Sequence, residues 1–558
     1  VHSAKPQVRI LFDHLEAAGV RDLVISPGSR NAPLIIEAQA RSHFEKTVIP
    51  DERSAGFVAL GMAEASGQPV AVISTSGTAM LNYHPAVAEA FYRQLPLIVI
   101  SADRPEYRID KGEGQSIRQR GALHNHVITE THLSENESSG AWNQKLTDVF
   151  NRLLQQNGPV HINMPFEEPL YETVENNVKQ SVPGYAKSDS LPLPDTDLER
   201  LERSWTKAGR KMIIAAQGRF DPIVNLQLER LAARPDTVVL TETTANFDAK
   251  GLLAHIDRLI FPLTDEQWEQ LAPDLVITLG NNIISKKIKF LLRSRPPVQG
   301  HWHIGPHYIT PDTFDRLTEH VRTSPALFFS QWLFRTAYEK PVGDYARRWA
   351  HLTERRAAKH REFARKVPWS DWMFYDLLSH NLPAGYHVHW ANSTVVRYAQ
   401  LFDFDGRIRH SANRGTSGID GSHSTALGYA RRTQAPVLHL TGDLSFLYDS
   451  NALWAPWPAN LKTIVLQNGG GDIFRFIPGP SSVENYERYF VAPPVADLKK
   501  LADAFGLNTL TIRTKSRSRA TGQLQHFLAD TASQILIVDT SDAPNAQILR
   551  DYFKALAG

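Results

Sequence analysis

The chain has 558 residues, 42% hydrophobic and 22% charged, and its 61 basic and 59 acidic side chains leave a formal net charge of +2. That length exceeds one core and predicts two to four domains, while the near-neutral balance excludes bulk attraction to nucleic acid or to an anionic membrane surface. There is no cysteine, which excludes disulfides, thiolate metal sites and cysteine nucleophiles.

No apolar run is long enough to predict a membrane span. Asp13, His14 and Glu16 interrupt the only apolar stretch near the first residue, so no signal peptide is expected and the cytoplasm is the expected location. Residues 8–18 carry apolar side chains at helical spacing (Val8, Leu11, Phe12, Leu15, Ala18) up to the helix stop Gly19. Short apolar runs at 23–25, 70–74 and 97–100 each end in a small polar turn: Ser26-Pro27-Gly28-Ser29-Arg30, Thr75-Ser76-Gly77-Thr78-Ala79 and Ser101-Ala102-Asp103-Arg104-Pro105. Helical stretches at 31–44, 53–66 and 84–94 alternate with them, which is the rhythm of a parallel sheet with helices on both faces. Residues 160–163 add a strand, and 181–196 read as a linker by composition. Runs at 212–216, 238–240, 275–279 and 302–304 predict a second α/β unit, and a charged helical stretch over 344–366 bridges to a third. That third unit holds strands near 386–391, 407–411, 437–441, 463–466 and 535–539. The predicted fold class is α/β, with three doubly wound parallel-sheet domains in series at 1–180, 197–343 and 367–558.

Two strand ends in the last unit carry the most chemistry. The run 437–441 stops at Gly442-Asp443-Leu444-Ser445, and 463–466 stops at Gln467-Asn468-Gly469-Gly470-Gly471. They offer a carboxylate, a carboxamide and bare backbone carbonyls, the oxygen-only mixture that a hard divalent cation such as Mg²⁺ takes. The interval from Asp443 to Asn468 accommodates one helix and one strand, so both turns can lie at one sheet edge. On these residues alone, an Asp capping the helix after a strand is the competing reading.

At these turns the sequence resembles the thiamine diphosphate enzymes, whose signature is Gly-Asp-Gly followed after a similar interval by Asn-Asn. Here Leu444 and Gln467 depart from that pattern. Further phrases are similar to the branch of the family that serves menaquinone biosynthesis: Ser26-Pro-Gly-Ser-Arg-Asn-Ala-Pro33, Asp51-Glu-Arg53, Thr75-Ser-Gly-Thr78, Ala102-Asp-Arg-Pro105, Gln115-Ser-Ile-Arg118, Asn392-Ser-Thr-Val-Val-Arg397 and Asn413-Arg-Gly-Thr-Ser-Gly-Ile-Asp-Gly421. Gly-Asp-Leu-Ser is that branch's own form of the first turn.

The resemblance implies a pyruvate-oxidase-like series of pyrimidine-binding, central and diphosphate-binding domains. It implies thiamine diphosphate, with Mg²⁺ or Mn²⁺ held by Asp443, Asn468 and the Gly470 carbonyl. Glu52 would meet the cofactor's ring nitrogen and Ile419 would support its bent form, with Thr75, Ser76, Gly77, Ser393, Leu444 and Ser445 around it. Glu52, Gln115 and Arg30 are the implied catalytic residues. The implied donor is 2-oxoglutarate and the acceptor isochorismate, joined after decarboxylation in a Stetter-like 1,4-addition. Two dicarboxylates demand fixed cations, and Arg30, Arg104, Arg397 and Arg414 sit in strand-end turns; Lys286 and Lys287 stand where the branch tends to have Lys-Arg. Ser29 and Gln115 would hydrogen-bond substrate, and Ile473, Phe474 and Ile477 would wall the acceptor pocket. The family places each active site between the pyrimidine domain of one subunit and the diphosphate domain of another, hence a homodimer or dimer of dimers.

Without the resemblance, Asp51 and Glu52 read as acids favoured by a helix N-terminus, and any single cation as a solvated surface charge. Two other functions compete: an acetolactate-forming carboligase with a different donor, and a non-catalytic nucleotide-binding or regulatory subunit. His301, His303 and His307 suggest a metal cluster but lack a third acid or thiolate nearby. The basic run 513–519 reads as a solvated loop.

Overall fold

The computed structural model describes residues 1–175, 181–186, 190–306, 308–531 and 534–557; His307 and part of the expected linker lie outside the described residues. Three six-stranded sheets follow one another along the chain. The first runs, edge to edge, Glu45–Val48, Asp22–Ile25, Val70–Ser74, Leu97–Asp103, Val160–Pro165, Thr129–His132, with parallel pairings throughout. The last repeats this order: Arg409–Ala412, His387–Trp390, Val437–Gly442, Leu461–Gln467, Ile535–Asp539, Thr509–Ile512. The middle sheet runs Leu253–Ala254, Thr237–Thr241, Lys211–Ala215, Leu275–Leu279, His301–Ile304, Leu317–Val321, also parallel.

Central strands of such sheets are covered on both faces, so their sequences are near-continuous apolar runs. Val70, Val72, Ile98, Ile100, Leu438 and Leu440 are accordingly fully buried. The expectation missed Glu45–Val48, Thr129–His132, Leu253–Ala254, Leu317–Val321 and Thr509–Ile512. All five are outermost strands, part-solvated and polar or, at Leu253–Ala254, only two residues long, and so carry no apolar run to reveal them.

Where the strand order reverses, the carboxyl ends of two neighbouring strands open a crevice. In the outer sheets the flanking turns are Ser26–Arg30 with Thr75–Ala79, and Asn392–Ser393 with Gly442–Asp443. At the carboxyl ends of the middle sheet's strands, side chains bind the backbone of residues 410–414. Gln217 Nε2 donates to the Ala412 carbonyl (2.8 Å), Asn246 Nδ2 to that of His410 (2.9 Å) and Asn282 Nδ2 to that of Arg414 (2.7 Å).

The chain gathers into two compact units, Val1–Asp189 with Asp420–Ala435 and Tyr448–Leu461, and Ser190–Ile419 with Pro436–Leu447 and Lys462–Gly558. The helix Ser422–Arg431 belongs to the first because it lies directly on Glu52–Ser66. A Cβ on Gly61 would stand 2.0 Å from the Thr425 carbonyl oxygen, and one on Gly428 1.9 Å from that of Val58, so only glycine lets the two backbones approach this closely.

The paired histidines and the basic run both find partners within the protein. His301 and His303 do share a strand face, but both rings bind Thr278 Oγ1 (2.8 and 2.9 Å). Among the described residues no three His, Cys, Asp or Glu side chains gather as metal donors. The basic run 513–519 is not a free loop: Ser516 caps the helix Arg517–Ala529, Arg513 pairs with Asp542 (2.8 Å) and Arg517 with Asp376 (2.6 Å).

Candidate functional site

In the second unit the two glycine-rich turns meet. The Asp443 carboxylate accepts the Leu444 N–H (2.7 Å) and the Gly469 and Gly470 N–H groups (3.0 Å each). Burial pushes this carboxyl up, opposed by those amides. Gly470 holds φ +103°, and a Cβ there would stand 2.4 Å from the Val491 carbonyl oxygen, so no other residue can make this turn. Asn468 Nδ2 donates to Asp371 (2.7 Å), which turns its carboxamide oxygen the other way. Asp371 is wholly buried, accepts from Thr540 Oγ1 (2.5 Å), and is pushed up to about 7 by burial and then by Asp472. Asp443, the Asn468 oxygen and the Gly470 carbonyl are hard oxygen donors on one turn pair, and that donor set fits a small divalent cation.

Beside them Ser393 holds φ +70° at the start of the helix Thr394–Ala399. Ser445 Oγ donates to the Ile419 carbonyl (2.7 Å), which ties this turn to the loop that carries Ile419. The Ile419 side chain is exposed.

A cavity of about 600 Å³ in this unit brings together Lys286, Lys287, Arg397, Ile473 and Ile477. Phe474 does not line it. The short helix Ile473–Phe476 turns 473, 476 and 477 to one side, so Phe476 takes that place, while Phe474 packs on Phe490 (5.8 Å between rings). Lys286 and Lys287 open the helix Lys286–Ser294, capped by Ser285. Two cations at a helix N-terminus oppose its dipole, a local cost that points to a role outside the helix. Arg397 Nη1 donates to the Ser393 carbonyl (2.5 Å). Burial, and then the neighbouring Arg414, lower its guanidinium to about 10. Arg414 is buried and donates to Asn392 Oδ1 (2.8 Å). Asp257, the one acid on the cavity wall, is hydrogen-bonded by Ser285 and pushed up by burial.

The first unit holds the remaining residues. Glu52 opens the helix Glu52–Ser66 behind the Asp51 cap, and half-burial, then Asp51, push its carboxyl up against its own backbone N–H. The hydroxyls of Thr75 and Ser76 are buried with no hydrogen-bond partner among the described residues, polar groups of the kind a bound polar ligand satisfies. Gly77 donates its N–H to Gln119 Oε1 (2.7 Å) and stands against the backbone of Gln115, itself at φ +54°. Arg30, next to Ser29, is buried and tied to the Phe166 carbonyl (2.9 Å) and Glu168 (3.0 Å). Arg104 reaches the Gly114 carbonyl (3.2 Å), which places it against the segment carrying Gln115.

Several supporting residues carried no signal in the sequence. Gln119 is buried and joins Gly77, the Ala102 carbonyl (3.0 Å) and Asn163 (2.9 Å). Asn392 Nδ2 staples the carbonyls of Asn413 (2.7 Å) and Gly418 (2.6 Å). Arg475 grips Glu487 with two bonds (3.0 and 2.8 Å) and touches the Asn468 and Gly469 carbonyls (3.5 and 3.3 Å). The partners of Gln119 and Asn392 lie 17–44 and 21–26 positions away, so spacing could not have found them, while those of Arg475 lie 6–12 positions away. Of these residues, only Asn392 belongs to a stretch that resembles the family.

The profile of the thiamine pyrophosphate enzyme N-terminal TPP-binding domain matches residues 7–129. The chain is 39% identical to the 2-succinyl-5-enolpyruvyl-6-hydroxy-3-cyclohexene-1-carboxylate synthase of Porphyromonas gingivalis, covering 100% of this chain and 98% of that protein. It is 39% identical to the synthase of the same name from Flavobacterium johnsoniae, with 98% of each covered, and 37% identical to that of Christiangramia forsetii, with 99% of each covered.

Proposed function

Because the chain belongs to the 2-succinyl-5-enolpyruvyl-6-hydroxy-3-cyclohexene-1-carboxylate synthases, thiamine diphosphate-dependent transferases that form a C–C bond, we propose that it decarboxylates 2-oxoglutarate and adds the four-carbon remainder to isochorismate in a 1,4-addition. The observation that carries this reading is the cavity wall, where Lys286, Lys287 and Arg397 outnumber a single, burial-raised Asp257. Two dicarboxylates need such an excess of fixed cations; a pyruvate-using carboligase does not.

Thiamine diphosphate supplies the nucleophilic carbon and the electron sink when bound. The rest falls to side chains. Asp443, the Asn468 oxygen and the Gly470 carbonyl would hold Mg²⁺ or Mn²⁺. Glu52, its carboxyl raised by burial, would keep a proton at the cofactor's ring nitrogen. Thr75, Ser76 and Gly77 would lie along that ring, Ile419 under its bend, and Ser393, Leu444 and Ser445 near the diphosphate. Arg30, Arg104, Arg397, Arg414, Lys286 and Lys287 would bind substrate carboxylates, with Ser29 and Gln115 hydrogen-bonding substrate. Ile473, Phe476 and Ile477 would exclude water. We retain the division into domains 1–180, 197–343 and 367–558, and an assembly of two or four copies in which Glu52 and Asp443 serve one cofactor.

The experiment is CO₂ release from 2-oxoglutarate and from pyruvate in the presence of isochorismate, each with and without thiamine diphosphate. The reading expects release from 2-oxoglutarate alone and only with the cofactor. Preferential use of pyruvate would replace it with the acetolactate-type reading.

A further inference from the structure

The cavity that gathers Lys286, Lys287 and Arg397 has a wall that no motif announced. The helix Asn545–Ala557 lines it with Leu549, Phe553 and Ala557, four residues apart and therefore on one stripe, and with Arg550 and Lys554 on the stripe beside it. Phe553 stacks on Phe261 (3.9 Å between rings, 21°), and Phe476 lies 6.0 and 6.2 Å from those two rings. Together these build an apolar, flat-sided chamber.

Arg550 is aimed by hydrogen bonds, and the carboxylate of Asp472 acts on it through space. Its Nη1 donates to the Arg475 carbonyl (2.8 Å) and its Nε to Gln547 Oε1 (3.1 Å), both uncharged acceptors. Lys554 has only a loose contact with Asp551, at 3.9 Å on the exposed side of the helix. The lining thus carries five cations against Asp257, which already accepts from Ser285. An aromatic-walled chamber with surplus positive charge suits a ring that bears more than one carboxylate, better than it suits a flexible open-chain diacid.

Resting on the functional reading above, we propose that Arg550 and Lys554, with Phe553, are specificity-determining residues for the ring acceptor: the two cations bind one of its carboxylates, and the stacked rings pack against its face. Neither cation takes part in handling the open-chain donor.

The test uses the full chain with Mg²⁺ and thiamine diphosphate, and compares the Lys554→Gln, Lys554→Glu and Arg550→Gln variants with the unaltered protein by steady-state kinetics. Lys554→Gln raises KM for isochorismate about fivefold, as loss of one partly solvated charge contact implies. Lys554→Glu raises it further, and both raise it several times more than KM for 2-oxoglutarate. Added salt weakens acceptor binding more in the unaltered protein than in Lys554→Gln. Because Arg550→Gln also loosens the Arg475 carbonyl, the exposed Lys554 variants decide. An unchanged acceptor KM in both of them, or an equal rise for both substrates, overturns the assignment. An unaltered protein that fails to turn over 2-oxoglutarate overturns the functional reading instead.

Discussion

Asn468 owes its orientation to Asp371, 97 positions away, and the turn that carries it is gripped by Arg475. Arg475 spans the Asn468 and Gly469 carbonyls and forms a two-bond pair with Glu487, an arrangement that holds the donor oxygens in place before any ion arrives. Outer partners of this kind are worth roughly tenfold or more in metal affinity. Arg475→Ala should raise the Mg²⁺ concentration needed for half-maximal thermal stabilisation about tenfold. Glu487→Gln should approach that value, and the double variant should add little to the larger single effect, because both act through one pair. A Mg²⁺ dependence that does not move in Arg475→Ala would show that the turn holds its shape unaided.

At the level of whole elements, the closest packing in the first unit is between Glu52–Ser66 and Ser422–Arg431, where Gly61 and Gly428 face backbone carbonyls at under van der Waals distance from any added Cβ. Backbone cannot give way as a side-chain end can, so Gly428→Ala should cost about 2–3 kcal/mol, seen as a lower melting temperature. Stability equal to the unaltered protein would mean that the helices separate freely. The same elements show what the sequence could reveal. The alternation of apolar runs with helical stretches located the central strands, because parallel strands buried on both faces must be apolar. The polar edge strand Glu45–Val48 stayed hidden because nothing in its composition distinguishes it from a loop. Asp443 and Asn468 were legible from spacing between strand ends. Phe474 packs on Phe490 while its neighbour Phe476 lines the cavity, because the direction of a one-turn helix is set by its packing and not by its sequence. Gln119, Asp371 and the helix Asn545–Ala557 act through contacts far away along the chain, which no local pattern encodes.

For the molecule as a whole, a net charge near zero leaves the pH dependence of stability to individual buried groups rather than to general repulsion. Asp449 is fully buried, bonded to the Ser424 N–H (2.7 Å) and hydroxyl (2.9 Å), and pushed up to about 7, chiefly by burial. Its folded value lies above the 3.8 of an unperturbed aspartate. Its contribution is therefore fully present below the unfolded value and lost as pH rises through about 7. Asp449→Asn should accordingly gain on the unaltered protein between pH 5 and pH 8, by about 1–2 kcal/mol. A difference independent of pH would place the ionised carboxylate comfortably inside the fold.

The central claim is that one cofactor couples two dicarboxylates, with Glu52 proposed as the proton-holding acid. The most direct measurement follows isochorismate consumption and CO₂ release together, in the unaltered protein and in Glu52→Gln, with 2-oxoglutarate, Mg²⁺ and thiamine diphosphate present. The account predicts one CO₂ per isochorismate consumed, and a rate in the variant lower by about a hundredfold or more. Release of CO₂ uncoupled from isochorismate, or a variant as fast as the unaltered protein, would contradict it.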